Sequence, residues 1–236
     1  MRLFHSPTAP SPRRVRMFLI EKGLEVGANS PAMAVAAGGA STLELVEIDL
    51  RGGEHFGADF LRRNPDGVLP CLELDDGRCI SESLAICRYF EAIYPEPPLF
   101  GRDPAEAGLV EMWTRRIEQQ LYLPTQEFYR NGHPAFTDRG WPGARGPGSD
   151  YAVAQVDGLV ERSGGIFART LVKLEAQLLR TRAFVVGDGF SMADIMLRTT
   201  LDFAQRVKVP AAQDLGAHAG LSEWYAKISA RASAGA

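Results

Sequence analysis

The segment YPEPPLFGRDP, residues Tyr94–Pro104, holds four prolines and one glycine in eleven positions. Proline lacks a backbone N–H and clashes with the preceding turn, so neither a helix nor a central strand continues through such a run. The chain therefore has to fold as two parts joined at this segment. We predict a domain at residues 1–94, a linker at 95–104 and a second domain at 105–236.

The first part alternates strand and helix signals, which indicates a small mixed α/β sheet. Between its first helix and second strand lies an insert of small residues, Gly27–Ser41, whose composition predicts disorder. The predicted strands are Arg2–His5, Leu43–Leu50, Cys71–Leu74 and Arg78–Ile80, the last two joined by the turn Asp75–Gly77, and the predicted helices are Pro12–Lys22, Ala58–Arg63 and Ser83–Ile93.

The second part reads as helical throughout, with apolar residues at four-residue spacing. Ser191 and Asp194 form a capping box before an apolar helix, and a last helix is predicted at Ser222–Ala232. A long connection rich in glycine and proline, Asn131–Ser149, separates two of the bundle helices. We expect an all-α helical bundle here.

Composition excludes several classes of function. The net charge of −3 offers no electrostatic basis for binding nucleic acid or an anionic membrane. No apolar run approaches the ~18 residues of a membrane span, and the first residues do not resemble a signal peptide. The chain has three cysteines, Cys71, Cys79 and Cys87, and their spacing is not that of a metal site. An odd and small number of cysteines fits a reducing compartment better than a disulfide framework. We expect a cytoplasmic protein without a metal.

Four polar or glycine-rich loops should meet at one end of the predicted sheet. A right-handed β-α-β unit followed by a hairpin brings together the exits of strands one and two, the entry to strand three and the start of the last helix. The Gly27–Ser41 insert and the Asp75–Gly77 turn should lie at the opposite end. The four converging loops are Ser6–Pro12, Arg51–His55, Gly67–Pro70 and Ser81–Ser83.

Two of these loops carry backbone groups suited to a small peptide. A cis bond before Pro70 would turn the Val68 backbone outward, where it could pair with an extended ligand; a trans turn is the alternative. The helix start at Ser81–Ser83 could hold a carboxylate, although the same residues also suit an ordinary helix cap. Glu82 could accept hydrogen bonds from an ammonium group.

A third loop offers cations for a second carboxylate. Arg51 and His55 could both bind one there, although a histidine in such a loop is also consistent with a solvated side chain. Two carboxylate sites, one ammonium site and a strand-like edge together indicate a small amino-acid-like peptide as ligand.

Three stretches carry a resemblance to the glutathione transferase superfamily. These are RRVRMFLIEKGLEV, the segment DLRGGEHFGADFLRRNPDGVLPCLELDDGRCISESLAICRYFEAIYP, and VVGDGFSMADIML. The resemblance implies a thioredoxin-like N-terminal domain, an all-helical C-terminal domain, glutathione as co-substrate and a homodimer. By position it implies that Val68 pairs with the cysteinyl part, that Glu82 and Ser83 hold the γ-glutamyl end, and that His55 reaches the glycyl carboxylate.

The residue that activates the thiol is where the sequence departs from its relatives. Aligned on Arg14 and Arg16, Ala9 stands where similar proteins carry serine or cysteine, and alanine donates no hydrogen bond. Ser11 is the nearest remaining hydroxyl and the candidate catalytic residue, with a helix N-cap as its alternative role. Arg13 adds a positive charge close by.

The leading hypothesis is a transferase that directs the glutathione thiol at a small hydrophobic electrophile. Its alternatives are a related binding or regulatory protein with weak catalysis, which Ala9 favours, and a glutathione-dependent thiol-disulfide reductase using Cys71. The electrophile would lie against the helical bundle, near one or more of Trp113, Arg116, Tyr122 and Tyr129. Core packing is the alternative role of the aromatic ones, and we favour it for Trp113.

Overall fold

The computed structural model describes residues 1–24 and 43–236. Within them the chain forms two compact units, one of Met1–Pro97 together with Ala232–Ala236 and one of Pro98–Arg231. The insert predicted at Gly27–Ser41 lies outside the described residues.

The first unit is a four-stranded mixed sheet with helices. The strands lie in the order β2-β1-β3-β4; β1 pairs with β2 in parallel and with β3 antiparallel, and β3 pairs antiparallel with β4. The elements in chain order are β1 (Arg2–His5), α1 (Pro10–Glu21), β2 (Glu44–Glu47), α2 (Ala58–Leu61), β3 (Cys71–Glu73), β4 (Cys79–Ser81) and α3 (Ser83–Ile93). The expected α/β domain is confirmed.

Successive side chains of each strand point to opposite faces of the sheet, and both faces are buried. Phe4 lies opposite Cys71 across the β1–β3 pair, and both belong to a buried cluster with Phe60. Leu3 and Leu72, the next residues along, therefore point to the other face, where both are fully buried.

The strand register brings the predicted loops to one end of the sheet. Phe4 near the end of β1 pairs with Cys71 at the start of β3, which in turn pairs with Ser81 at the end of β4. Because β2 runs parallel to β1, its exit lies at the same end. The predicted convergence is confirmed, and the Asp75–Gly77 turn lies at the opposite end of the β3–β4 hairpin.

Several element boundaries in this unit differ from the prediction by one to three residues, and two of these differences have a clear physical reason. Helix α1 begins at Pro10 rather than Pro12, because Pro10 takes the first helical position and Ala9 before it is extended. Strand β2 ends at Glu47 rather than Leu50, because the Asp49 carboxylate accepts the N–H groups of the two residues at 51 and 52 and turns the chain.

The second unit is entirely helical in its regular structure, and the predicted all-α class is confirmed. The capping box at Ser191 and Asp194 is present at the start of α7. The helices are α4 (Pro104–Ile117), α5 (Leu123–Gly132), α6 (Gly158–Thr181), α7 (Met192–Arg206) and α8 (Ala219–Ser229), with a π-helical turn, Glu118–Tyr122, between α4 and α5.

The last helix begins three residues earlier than predicted and ends at Ser229 instead of Ala232. The Glu175 carboxylate explains the early start, because its oxygens accept the N–H groups of Gly220 and Leu221 at 2.9 Å each. Such a bond from a side chain satisfies backbone donors that a helix start leaves open.

The long connection after α5 is held by side chains at its two ends. The amide of Asn131 donates to the Gly140 carbonyl and accepts the Val156 N–H, while the Gln155 amide donates to the carbonyls of Arg130 and His133. These bonds supplement the few backbone bonds inside the connection, among them the parallel bridge between Arg139 and Val153. No helix in residues 1–24 and 43–236 is both long and apolar enough to cross a membrane.

Candidate functional site

The loop before β3 presents a backbone donor at the end of the sheet. Val68 is half-buried, and within the part of the chain that the structure describes no group accepts its N–H. The Asn64 side-chain amide donates to the Val68 carbonyl at 2.8 Å and holds the loop in place. The Leu69–Pro70 peptide bond is cis, as predicted. Because no described group accepts the Val68 N–H, an extended ligand could pair with Val68 as an added strand.

A glycine brings this loop against the segment that carries His55. Gly67 has a φ of +60°, and a Cβ there would lie 2.9 Å from the Phe56 ring and 3.3 Å from the His55 carbonyl oxygen. The His55 ring stacks on Phe56 with centroids 3.9 Å apart and is only 5% exposed. The alternative of a solvated loop histidine is therefore wrong.

The start of α3 has an unusual backbone at Glu82. Its φ is +68°, a region that side chains other than glycine rarely occupy, and its side chain makes no capping hydrogen bond. The alternative of an ordinary side-chain helix cap is therefore wrong. A strained, exposed residue at the end of a sheet is a feature of binding sites more often than of plain helix starts.

Ser83, the first residue of α3, is buried and tied to α1. Arg14, itself only 2% exposed, donates from Nη1 to the Ser83 hydroxyl oxygen at 2.7 Å. This bond couples the starts of the two helices that flank the site. A hydrogen bond to a charged donor contributes about 1.5–3 kcal/mol, so the coupling is substantial.

Ser11 lies within the helix rather than before it. It is the second residue of α1, and the N-cap position belongs to Ala9, so the alternative role of Ser11 as N-cap is wrong. Pro10 and Pro12 on either side carry no backbone N–H. Among the first three residues of α1, Ser11 alone offers both an N–H and an O–H.

A buried arginine holds the loop between β1 and α1. Arg16 donates to the carbonyl oxygens of Ser6 at 3.3 Å and Pro7 at 3.0 Å, and its Nη1 lies 3.3 Å from His5 Nδ1. Burial, with Arg13 nearby, lowers the pKa of Arg16 to about 10, so it stays charged at neutral pH. Burial first and Arg16 second lower the pKa of His5 to about 4, so His5 is neutral there and its Nδ1 is the acceptor.

The buried thiols do not suit a reductase. Cys71 is fully buried, and burial, reinforced by the neighbouring Cys79, raises the pKa of its thiol to about 12. The thiolate is the nucleophile in disulfide exchange, and at neutral pH almost none is present at such a pKa. The geometry therefore speaks against Cys71 as a redox nucleophile.

The four residues predicted near a second substrate, three aromatic residues and one arginine, differ in how much of their surface is exposed. Trp113 and Tyr122 are 9% and 7% exposed, which agrees with core packing, while the Arg116 guanidinium lies over the Trp113 ring at 5.1 Å. Tyr129 is half-buried and meets the Phe203 ring edge-on, with centroids 5.9 Å apart. Of these four, Tyr129 and Arg116 keep the most accessible surface.

Comparison with known proteins places the chain in a family. Residues 3–98 match the glutathione S-transferase N-terminal domain, and residues 157–227 match the glutathione S-transferase C-terminal domain. Glutathione S-transferase 2 of Saccharomyces cerevisiae is 32% identical over 233 residues, covering 99% of this chain and 87% of the relative. The chain belongs to the glutathione S-transferase family.

Solved structures of the family agree with this assignment along the whole chain. Gtt2 from Saccharomyces cerevisiae has a TM-score of 0.78 at 30% identity, covering 99% of this chain and 98% of that one. A glutathione S-transferase domain-containing protein from Marinobacter aquaeolei VT8 has a TM-score of 0.79 at 29% identity, covering 99% of both chains. The predicted family and the predicted transferase activity are thereby confirmed.

The sequence reasoning missed the residues that hold this glutathione transferase site together. Asn64 bonds to Val68, Arg14 bonds to Ser83, and Gly67 packs against the His55 segment. Arg16 holds the Ser6 and Pro7 carbonyls of the loop before α1. One signal was present, because Arg14 and Arg16 lie among the apolar positions of a short helix, where a charged side chain needs buried acceptors.

Proposed function

We propose that this glutathione transferase binds glutathione at the loop end of its sheet and activates the thiol through Ser11. Val68 pairs with the cysteinyl part, Glu82 and Ser83 hold the γ-glutamyl end, and His55 reaches the glycyl carboxylate. The proposal rests on one observation above all: among the residues that the structure describes no group accepts the Val68 N–H, in a loop that Asn64 holds and that packs against the His55 segment through Gly67. No metal takes part.

Thiol activation requires a free energy that Ser11 and the helix start can supply together. A free thiol of pKa about 8.5 is a few per cent ionised at neutral pH, and lowering that pKa by ~2 units takes about 2.7 kcal/mol. A hydrogen bond to the charged sulfur contributes about 1.5–3 kcal/mol, and the helix dipole adds about 0.3–1 kcal/mol. The helix start alone falls short, so the Ser11 hydroxyl decides the outcome.

The second substrate we propose is a small hydrophobic electrophile that meets the helical unit near Tyr129 and Arg116. Their accessible aromatic and cationic surfaces support this choice. We further propose that the protein acts as a cytoplasmic homodimer, which the family resemblance supports.

Glutathione affinity by calorimetry, with the bound thiolate followed by its absorbance at 240 nm, tests the proposal. In the unaltered protein we expect binding and a thiol pKa well below 8.5. Ser11→Ala should keep the affinity within a few-fold and return the thiol pKa toward its free value. Thr8→Val removes a hydroxyl from the exposed part of the same loop and serves as control.

The other outcomes separate the alternatives. Binding with an unshifted thiol pKa in the unaltered protein would favour the weakly catalytic binding protein that Ala9 suggests. A complete lack of glutathione binding would refute the roles given to Val68, His55, Glu82 and Ser83.

A further inference from the structure

Residues 232–236, which we call the strap, lie with the first unit although they follow the second in sequence. The Ser233 side chain is fully buried, and its hydroxyl donates to Glu21 Oε1 at the last residue of α1. Arg13 in the first turn of α1 donates from Nε to the Ala236 carbonyl and from Nη2 to the Ala234 carbonyl, both at 2.8 Å. The strap is thus bonded to both ends of α1.

The first turn of α1 needs such support because it has few local anchors. No side chain caps it, and Pro10 and Pro12 supply no N–H. The first helical backbone bond runs from the Arg13 N–H to the Ala9 carbonyl at 3.2 Å. Arg16 in the second turn ties the helix to the Ser6 and Pro7 carbonyls of the preceding loop, and Arg13 ties the first turn to the strap.

The strap also fixes where a positive charge lies. The main-chain oxygens of Ala234 and Ala236 orient the Arg13 guanidinium, and the positive charge of Arg13 contributes to the lowered pKa of Arg16. Ser11 stands two residues before Arg13 on the same helix, so a shift of this turn moves the Ser11 hydroxyl as well.

We propose that Arg13 is a positioning residue for catalysis: bonded to the strap, it fixes the first turn of α1 and thereby holds the Ser11 hydroxyl against the glutathione thiolate. The inference rests on the proposed function, since it assigns Arg13 a role only through Ser11. A misplaced donor weakens the bond to sulfur, whose strength depends steeply on distance and angle.

Arg13→Lys and Ser233→Ala in the full chain test this role. Lysine keeps the positive charge but loses the fork that reaches two carbonyls, so a change reports position rather than charge. We expect the bound thiol pKa to rise by about 0.5 unit, kcat to fall several-fold and KM for glutathione to change less than about two-fold. Amide exchange in α1 should become about ten-fold faster.

Arg62→Lys is the matched control, because Arg62 is an exposed arginine of the same unit that pairs with Asp59. It should leave the thiol pKa, kcat and the exchange of α1 unchanged. An effect of Arg62→Lys equal to that of Arg13→Lys would overturn the inference.

The same two variants in a Ser11→Ala background decide whether the effect passes through Ser11. If it does, they raise the thiol pKa no further there, although α1 exchange still quickens. An equal rise in both backgrounds, or an unchanged thiol pKa in the Ser11 protein, would overturn the inference. Failure of the proposed function is seen separately, in Ser11→Ala alone.

Discussion

Asp194 is a buried side chain whose loss should strongly destabilise the helical unit. Its fully buried carboxylate accepts four hydrogen bonds. Oδ1 accepts from the Val185 N–H at 2.9 Å and Trp224 Nε1 at 2.8 Å, and Oδ2 accepts from the Ser191 N–H at 3.0 Å and the Ser191 hydroxyl at 3.1 Å. One carboxylate therefore joins the start of α7 to α8 and to the segment before α7.

Asp194→Ala leaves the N–H groups of Val185, Ser191 and Trp224 buried without this acceptor. Each orphaned donor costs about 1–3 kcal/mol. The substitution also removes a buried carboxylate whose ionisation is unfavourable, since burial raises the pKa of Asp194 to about 6. With that offset we expect a loss of about 3–5 kcal/mol, a large part of the 5–15 kcal/mol that stabilises a typical domain.

Asp194→Asn keeps the shape of the side chain and removes its negative charge, so it tests the two contributions separately. The amide group can face Ser191, whose hydroxyl can rotate to accept from it, so only the Ser191 N–H meets a donor instead of an acceptor. We expect a smaller loss, about 1–2 kcal/mol.

Urea unfolding followed by tryptophan fluorescence measures these free energies. Asp214→Ala, at an exposed carboxylate of the same unit, is the control and should stay within about 0.5 kcal/mol of the unaltered protein. If Asp194→Ala lowered the free energy of unfolding by less than about 1 kcal/mol, the four hydrogen bonds would contribute far less to stability than we infer.

The pH dependence of stability follows from the same carboxyl. Its pKa is raised from 3.8 to about 6 by burial, so between these values the folded state binds the proton more tightly than the unfolded state. The free energy of unfolding contributed by Asp194 therefore decreases as pH rises from about 4 to 6. The difference between unaltered protein and Asp194→Asn, taken at each pH, should show this slope; a flat or rising difference would contradict it.

Three further substitutions probe the glutathione site. Asn64→Ala frees the Val68 carbonyl and should weaken glutathione binding about three- to ten-fold by calorimetry; unchanged affinity would mean that Val68 is held by other contacts. Gly67→Ala adds a Cβ 2.9 Å from the Phe56 ring at a positive φ and should cost about 1–2 kcal/mol in urea unfolding, so a neutral result would refute the close approach. Ala9→Ser adds a hydroxyl at the N-cap and should lower the bound thiol pKa at 240 nm; no shift would mean that position 9 does not face the sulfur.

Much of the first unit was predictable because its signals are local. The turn Asp75–Gly77 between two apolar runs predicted the hairpin, and Ser83–Ile93 was predicted with the bounds the structure has. A right-handed β-α-β unit followed by this hairpin then predicted that four loops meet at one end of the sheet, which the strand register confirms.

The contacts that hold the site were not predictable in the same way. Arg14 reaches Ser83 across 69 residues of sequence, and Arg13 reaches Ala236 across 223. Periodicity describes which face of a helix is buried, but not which distant carbonyl or hydroxyl a buried guanidinium meets. Nothing in the composition of residues 232–236 indicates that they lie with the first unit.

The start of α1 shows how the loss of a donor at position 9 is accommodated. A serine N-cap would accept from the N–H of the second or third helical residue, and the third here is Pro12, which has none. Ala9 therefore costs less than an alanine cap usually does. If Ser11 acts as proposed, the position of the turn that carries it, and not only the identity of its residues, should control the acidity of the bound thiol.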